Sequence, residues 1–504
     1  APQAFSIERL NVTNATLIYD AEGSDLVRYD QVDLTLDWPE RLGPAVIRAA
    51  LNPAGEVVTL DATIDQFAGF IAGQVQPVKA TISAGGASVS VDGRANTGGD
   101  VAGNVRMNIP STDAFMRALA LPAPGLPAGL GQKVEAAMDL TLTSDRKLSL
   151  RELSADLGGN ALRGAADISL NGTPQINAQF DAGALDLTSV TGAGGADTSA
   201  ASSAGWPKDA IDASGLAAFN GDIALQAASV NLGTFKLGPT RTILRNDKSR
   251  MVFELREVQA YDGVVTGEFV VNNRNGLSVG GKINADKIGL QPVLEDAAGI
   301  DRLTGAADFN VSFLGVGQSV DAIMRSLGGN GAMSVGQGKI LGIDLDQLMR
   351  TGDGSGGTTI FNSLTASFTM NSGDLTNEDL LLALRSFEAR GAGRVGLGAQ
   401  DLDYLFTPIA LNLNDGNGLA IPIRLKGPWS GPRIIPDLEA ALDLNLEKEK
   451  EKLKQEAEEK AKAKVAEKLN LTPTEGQSLE DAAKEKLENK VQDELKRGLL
   501  KLLD

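Results

Sequence analysis

The sequence predicts a mainly β fold: a long, repetitive antiparallel sheet curled into an elongated groove, with a few short helices and a charged helical tail at the C-terminus. Three observations carry that expectation. Apolar and polar residues alternate with period two in run after run, glycine supplies 58 of 504 residues, and from about Leu438 the composition turns abruptly to Glu, Lys and Ala.

The alternation is clearest in "VVTGEFVVN", where Val265, Gly267, Phe269 and Val271 share one face and Thr266, Glu268 and Asn272 the other. In the following run, "LSVGGKINAD", Leu277, Val279, Ile283 and Ala285 oppose Ser278, Lys282, Asn284 and Asp286. The intervening "NNRNG" reads as a hairpin turn with glycine at a positive φ. A related unit lies about a hundred residues upstream, at residues 150–187. There Leu162, Ala166, Ile168, Leu170, Ile176, Ala178 and Phe180 form the apolar face, and Arg163, Asp167, Ser169, Gln175, Asn177, Gln179 and Asp181 the polar one. Such self-similarity points to a repeat architecture. The pattern recurs in "VDLTLDW" (Val32, Leu34, Leu36, Trp38), "ADFNVSF" (Phe309, Val311, Phe313) and "SLTASFTM" (Leu364, Ala366, Phe368, Met370). At about 12 residues per strand and turn, the first 437 residues would give on the order of 35 strands, extending well over 100 Å at about 4.8 Å per strand.

Helical signals are few. "STDAFMRALAL" offers Ser111 or Thr112 as a cap, and "SVDAIMRSL" and "DLDQLMR" read as single short helices. Residues 191–210 read as a Gly/Ala/Ser linker or loop between a repetitive β segment (1–190) and a second β region (211–437). The tail, 438–504, reads as two helices separated near Pro473, the second carrying Leu479, Ala483, Leu487, Val491, Leu495 and Leu499 as an apolar stripe.

Composition narrows the chemistry. There is no histidine and no cysteine, which removes the usual general base near neutral pH, thiol nucleophiles, disulfides and most zinc sites. A net charge of −18 disfavours nucleic acid as a partner. No run of about 18 apolar residues is present, and the first residues lack the pattern of a signal peptide, so an anchor is expected to be missing from this chain.

Motifs that resemble catalytic or cofactor signatures fail on context. "GAGRVG", Gly391–Gly396, fits the dinucleotide fingerprint, but the alternation runs straight through it and no helix follows. Gly338-Lys339 lacks the hydroxyl residue and upstream glycine of a phosphate loop. Ser355 has no histidine to activate it, and "TGDGSGG" reads as a surface loop. The acidic pairs Asp344/Asp346 and Glu295/Asp296 are expected by chance among 65 acidic residues, and the first sits at a helix start where carboxylates are favourable. No catalytic, cofactor or metal residue is assigned, and the chain is expected not to be an enzyme.

From "LTGAADFNVSF" to "GKILGIDLDQLMR" the chain resembles the AsmA family of bacterial envelope proteins through Gly329, Gly331, Gly338, Gly342, Ile343, Asp344 and Leu345. The closing "IPIRLKGPWSGPRIIPDL" is similar to the family's final motif at Gly427, Pro428, Trp429, Pro432 and Pro436. The strong resemblance covers about residues 215–437. It implies a β-groove protein related to TamB-like bridge lipid transfer proteins, anchored in the inner membrane, reaching through the periplasm, and linked to outer-membrane biogenesis and phospholipid movement.

The resulting expectation is a periplasmic, non-enzymatic phospholipid carrier between inner and outer membranes. Its groove would be lined by Ile168, Leu170, Ile176, Phe180, Val265, Phe269, Val271, Leu277, Val279, Ile283, Phe309, Val311, Phe313, Leu364 and Phe368. The alternative is an envelope protein with a closed β-core whose helical tail docks a membrane-assembly partner. Periodicity alone does not separate an open face from a packed one.

Overall fold

The computed structural model describes residues 8–19, 27–191, 205–345, 347–348, 355–384, 387–411 and 421–437. The charged tail and most of the predicted linker therefore lie outside the described residues. Within them are 27 strands in one continuous, unclosed hydrogen-bonded sheet. The count is below the expected 35 because strands of 9 to 12 residues are common and one, Ser355–Asn371, runs for 17.

Most neighbours in sequence are neighbours in the sheet, as short turns dictate. The hairpin Gly263–Asn272 and Ser278–Gly289 pairs Val265 with Ala285, Gly267 with Ile283, Phe269 with Gly281 and Val271 with Val279, so the two predicted apolar faces lie side by side. Its turn has Gly276 at φ 98°, and the upstream unit turns through Gly172 at φ 75°. The strand Phe387–Gly396 passes through "GAGRVG" without interruption, and Gly338-Lys339 opens the strand Gly338–Ile343, so neither cradles a phosphate. Ser355 begins a strand rather than sitting in the predicted surface loop, of which residues 351–354 lie outside the described residues.

One pairing among the described residues is parallel. Gln175–Asp186 and Asn220–Asn231 run parallel, with Ile176 beside Gly221 and Phe180 beside Leu225. The predicted linker therefore joins two adjacent strands of the same sheet instead of separating two sheets. All other strand pairings among the described residues are antiparallel.

Two predicted helices form, each capped by a serine. Ser111 Oγ accepts from Ala114 N at 3.2 Å at the start of Thr112–Ala118, and Ser319 Oγ accepts from Ala322 N at 3.2 Å at the start of Val320–Ser326. In the third, "DLDQLMR", Asp344 Oδ1 accepts from Gln347 N at 3.0 Å, and Leu345, Gln347 and Leu348 are helical. Asp346, Met349 and Arg350 lie outside the described residues. Helix Leu290–Ala298 was not foreseen; it ends at Gly299 in the left-handed region, φ 68°.

In the C-terminal part of the sheet the ladders of neighbouring strands run on into their turns. Gly373 N donates to Leu327 O at 2.9 Å, and Gly398 N to Gly373 O at 3.0 Å. A strap formed by residues 205–211 binds the same rim. Trp206 Nε1 donates to Leu397 O at 2.7 Å and its ring meets Trp429 edge-on at 6.2 Å, while Asp321 N donates to Pro207 O and Ile211 N to Gln318 O. The sheet thus ends in a C-terminal roll.

Candidate functional site

Register turns the alternation into rows that cross the sheet. One row takes one residue per strand from Val12 and Leu34, through Leu60, Met107 and Leu162, to Val265, Phe309 and Ala366. Crossing about nineteen strands at about 4.8 Å each, it extends roughly 85 Å. A second row runs Phe180, Leu225, Thr242, Leu255, Gly267, Ile283, Val311, Gly331 and Phe368. A third runs Ala178, Ile223, Leu244, Phe253, Phe269, Gly281 and Phe313. No charged residue falls in these rows, and their polar members are threonines.

The opposite face carries the charge. Lys79 meets Asp92 at 2.9 Å, Arg151 meets Asp167 at 2.8 Å and Arg241 meets Glu257 at 3.2 Å, all solvent-facing. The Ser149 hydroxyl and the Arg151 guanidinium hold the Asp167 carboxyl below its ordinary range, and Asp92 raises Lys79. These pairs link neighbouring strands across the polar face, and each contributes little on its own. Among the described residues no three acidic side chains gather as a metal site.

Phenylalanine rings on the apolar face lie against glycine on the next strand. A Cβ added to Gly281 would come 3.3 Å from Phe313 Cε1, and one at Gly331 would come 2.5 Å from Phe368 Cζ. Glycine there lets the ring lie low over the sheet, and the rings continue sideways: Phe253 to Phe269 at 6.2 Å and Phe269 to Phe313 at 6.4 Å.

Along the second and third rows the side chains are half-buried rather than enclosed, whereas the first row is buried at Ala182, Ala227, Val258 and Ala285. Ile168, Ile176, Phe180, Val265, Phe269, Val271, Val279, Ile283, Phe309, Val311, Phe313 and Phe368 are all half-buried, and all share the face. Three other predicted lining residues sit elsewhere. Leu170 follows the strand Ala161–Ser169 into the Asn171-Gly172 turn and is 40% exposed. Leu277 is 1% exposed at the rim, where its carbonyl accepts from Gly317 N. Leu364 is 5% exposed inside the roll.

In the roll the same rows become a packed core. Val335, Phe361, Leu364, Leu380, Leu382, Ala389, Tyr404 and Ile423 are buried together, with Leu290, Leu345 and Leu348 added from the helical segments. This gives the motif residues physical roles. Gly338 has no room for a side chain: a Cβ would lie 2.4 Å from Phe361 Cζ and 2.2 Å from Thr304 O. Gly342 turns at φ 81°, Ile343 ends the strand with its carbonyl accepting from Thr359 Oγ1 at 2.8 Å, Asp344 caps, and Leu345 enters the core at 5% exposure. Gly427 adopts φ 127°, Pro428 closes the strand Ile423–Pro428, and Trp429 Nε1 donates to Asp401 O at 3.0 Å beside Trp206. Pro432 and Pro436 flank the short last strand, Arg433–Pro436, with proline at the sheet edge.

The strap was invisible to pattern reading, although Trp206 beside a Gly/Ala/Ser stretch was a signal: an isolated large ring usually has a surface to pack on.

Among the described residues no helix is long and apolar enough to cross a membrane. No curated protein and no solved structure matches the chain. The AsmA family model matches residues 132–380. That range begins upstream of the expected 215, takes in the unit at 150–187, and stops before Gly427, Pro428, Trp429, Pro432 and Pro436. The family is associated in general with envelope and outer-membrane assembly and with lipid transport. The match takes in most of the half-buried phenylalanine face and the Gly338–Leu345 motif together, and this chain carries an AsmA-like region.

Proposed function

We propose that the chain carries phospholipid along the apolar face of its sheet, between the inner and outer membranes of a bacterial envelope, without catalysing a reaction. The supporting observation is the two uncharged rows from Phe180 to Phe368 and from Ala178 to Phe313, which cross the sheet while their side chains stay only partly buried. Acyl chains laid on that face would gain about 25 cal/mol per Å² of apolar surface removed from water. Head groups would stay in water at the rims. The AsmA-like region supports the envelope setting. The test is mass spectrometry of lipid retained by the gently purified chain, and of uptake from phospholipid vesicles. Bound phospholipid is expected; a chain that neither retains nor takes up lipid overturns the reading.

A second reading rests on the packed core of the roll: an envelope interaction protein whose C-terminal end is structural and whose residues 438–504 dock a membrane-assembly partner. Deleting 438–504 separates the two. Loss of a partner with intact lipid uptake assigns docking to the tail as a separate task.

A further inference from the structure

The apolar rows do not keep one character along their length. Through Phe253, Phe269, Ile283 and Phe313 they are half-buried, with the rings lying over glycine. Beyond the strand Ala306–Val316 the face is enclosed at the Val335 and Leu364 ends of the strands, while Phe368 stays half-buried. Val335 is 1% exposed, and Phe361 and Leu382 are fully enclosed. Side chains brought in from outside the strands complete the closure. Leu345 and Leu348 follow the Asp344 cap, and Leu290 enters from the helix Leu290–Ala298. On the opposite rim Ile323, 8% exposed, packs so tightly that a Cβ at Gly315 would come 2.8 Å from its Cγ2.

A well-packed interior leaves no room for an acyl chain, because side chains at native density leave few voids larger than a water molecule. From this we infer that the open face ends blind at the roll: acyl chains occupy the face up to Phe368 and stop, and lipid enters and leaves over the side of the sheet instead of passing out through its C-terminal end. The inference rests on the lipid-carrying reading. It assigns the Gly338–Leu345 motif to the stopper, with Gly338 admitting the Phe361 ring, and Leu345 and Leu348 filling the space above it.

p-Azidophenylalanine, close in shape to phenylalanine, can replace Phe253 and Phe269 on the open face and Phe361 and Phe406 in the roll, in the full chain. Each variant is loaded from vesicles of phosphatidylethanolamine and phosphatidylglycerol, illuminated, and read by intact mass and peptide mapping. Lipid adducts are expected at Phe253 and Phe269 only, with the Phe361 probe instead cross-linking within the chain to the strand Gly338–Ile343. A lipid adduct at Phe361 or Phe406 overturns the blind end. Adducts at none of the four positions overturn the lipid-carrying reading itself. Phe406, half-buried at the margin of the roll, carries the test if the Phe361 variant does not fold.

Discussion

The strands before Phe313 and those after Val335 are written in the same alternating pattern, yet one stretch presents a half-open apolar face and the other a packed core. Both use Phe over Gly: Phe313 over Gly281 in the first, Phe361 over Gly338 in the second. What differs is what lies above the face. In the roll, the sheet curls until its own strands oppose one another, and three leucines from helical segments fill the remaining space. Before Phe313 the buried clusters among the described residues are small: Ala182, Leu185, Ala227 and Val230 form one, and Val58, Ala84 and Ala118 another. An apolar face is thus a core or a binding surface according to curvature and covering elements, which strand periodicity does not encode.

The comparison can be broken most severely at Gly338. Valine there would place a Cβ 2.2 Å from Thr304 O and 2.4 Å from Phe361 Cζ, against backbone and a buried ring that cannot yield. The expected loss exceeds about 4 kcal/mol for the roll. It should appear in a Trp38→Phe background as loss of the cooperative fluorescence change of the Trp206–Trp429 pair on urea titration. Leu382→Ala, at a fully buried position, should cost about 3 to 4 kcal/mol by the same readout.

Phe269→Ala sharpens the contrast from the other side. The ring is only partly buried, so its removal should cost about 2 kcal/mol, less than Leu382→Ala, measured by hydrogen exchange in its own and neighbouring strands. Under the proposed function, Phe269→Glu should sharply lower retained phospholipid and leave the roll within about 0.5 kcal/mol of the parent chain.

The smallest effect is electrostatic. Arg424 and Lys426, at 2.7 and 3.1 Å, hold the Asp403 carboxyl down at about 2. A depressed carboxylate stabilises the fold above its ordinary value of about 3.9, and that contribution disappears as pH falls towards about 2. Asp403→Asn should therefore cost about 0.5 kcal/mol at neutral pH in low salt, because both cations face solvent. The gap should close between about pH 4 and pH 2 in parallel urea titrations.

Sequence reading reached the strand faces and the hairpin turn because period two and a glycine turn are local. It reached the capped helices after Ser111 and Ser319 for the same reason. It placed Leu364 on the correct face but not in the core, since the curl that encloses Leu364 depends on strands that precede and follow it by tens of residues. Leu170 was misplaced by one position, where the strand stops at Ser169 and the chain enters its turn. The parallel step and the Trp206 strap were not legible, because both are contacts between segments far apart in sequence.

That parallel step bears on how the chain assembles. Strands joined by tight turns find their partners by short-range diffusion, so the stretches ending at Asp186 and beginning at Asn220 can each zip up from local hairpins. Registering Gln175–Asp186 against Asn220–Asn231 instead requires closing a long connection, at an entropic cost that returns nothing until the pair has formed. The sheet is continuous in space but interrupted in folding order. Its slowest event is expected where Ile176 meets Gly221, well before the roll that looks like the hardest part to build.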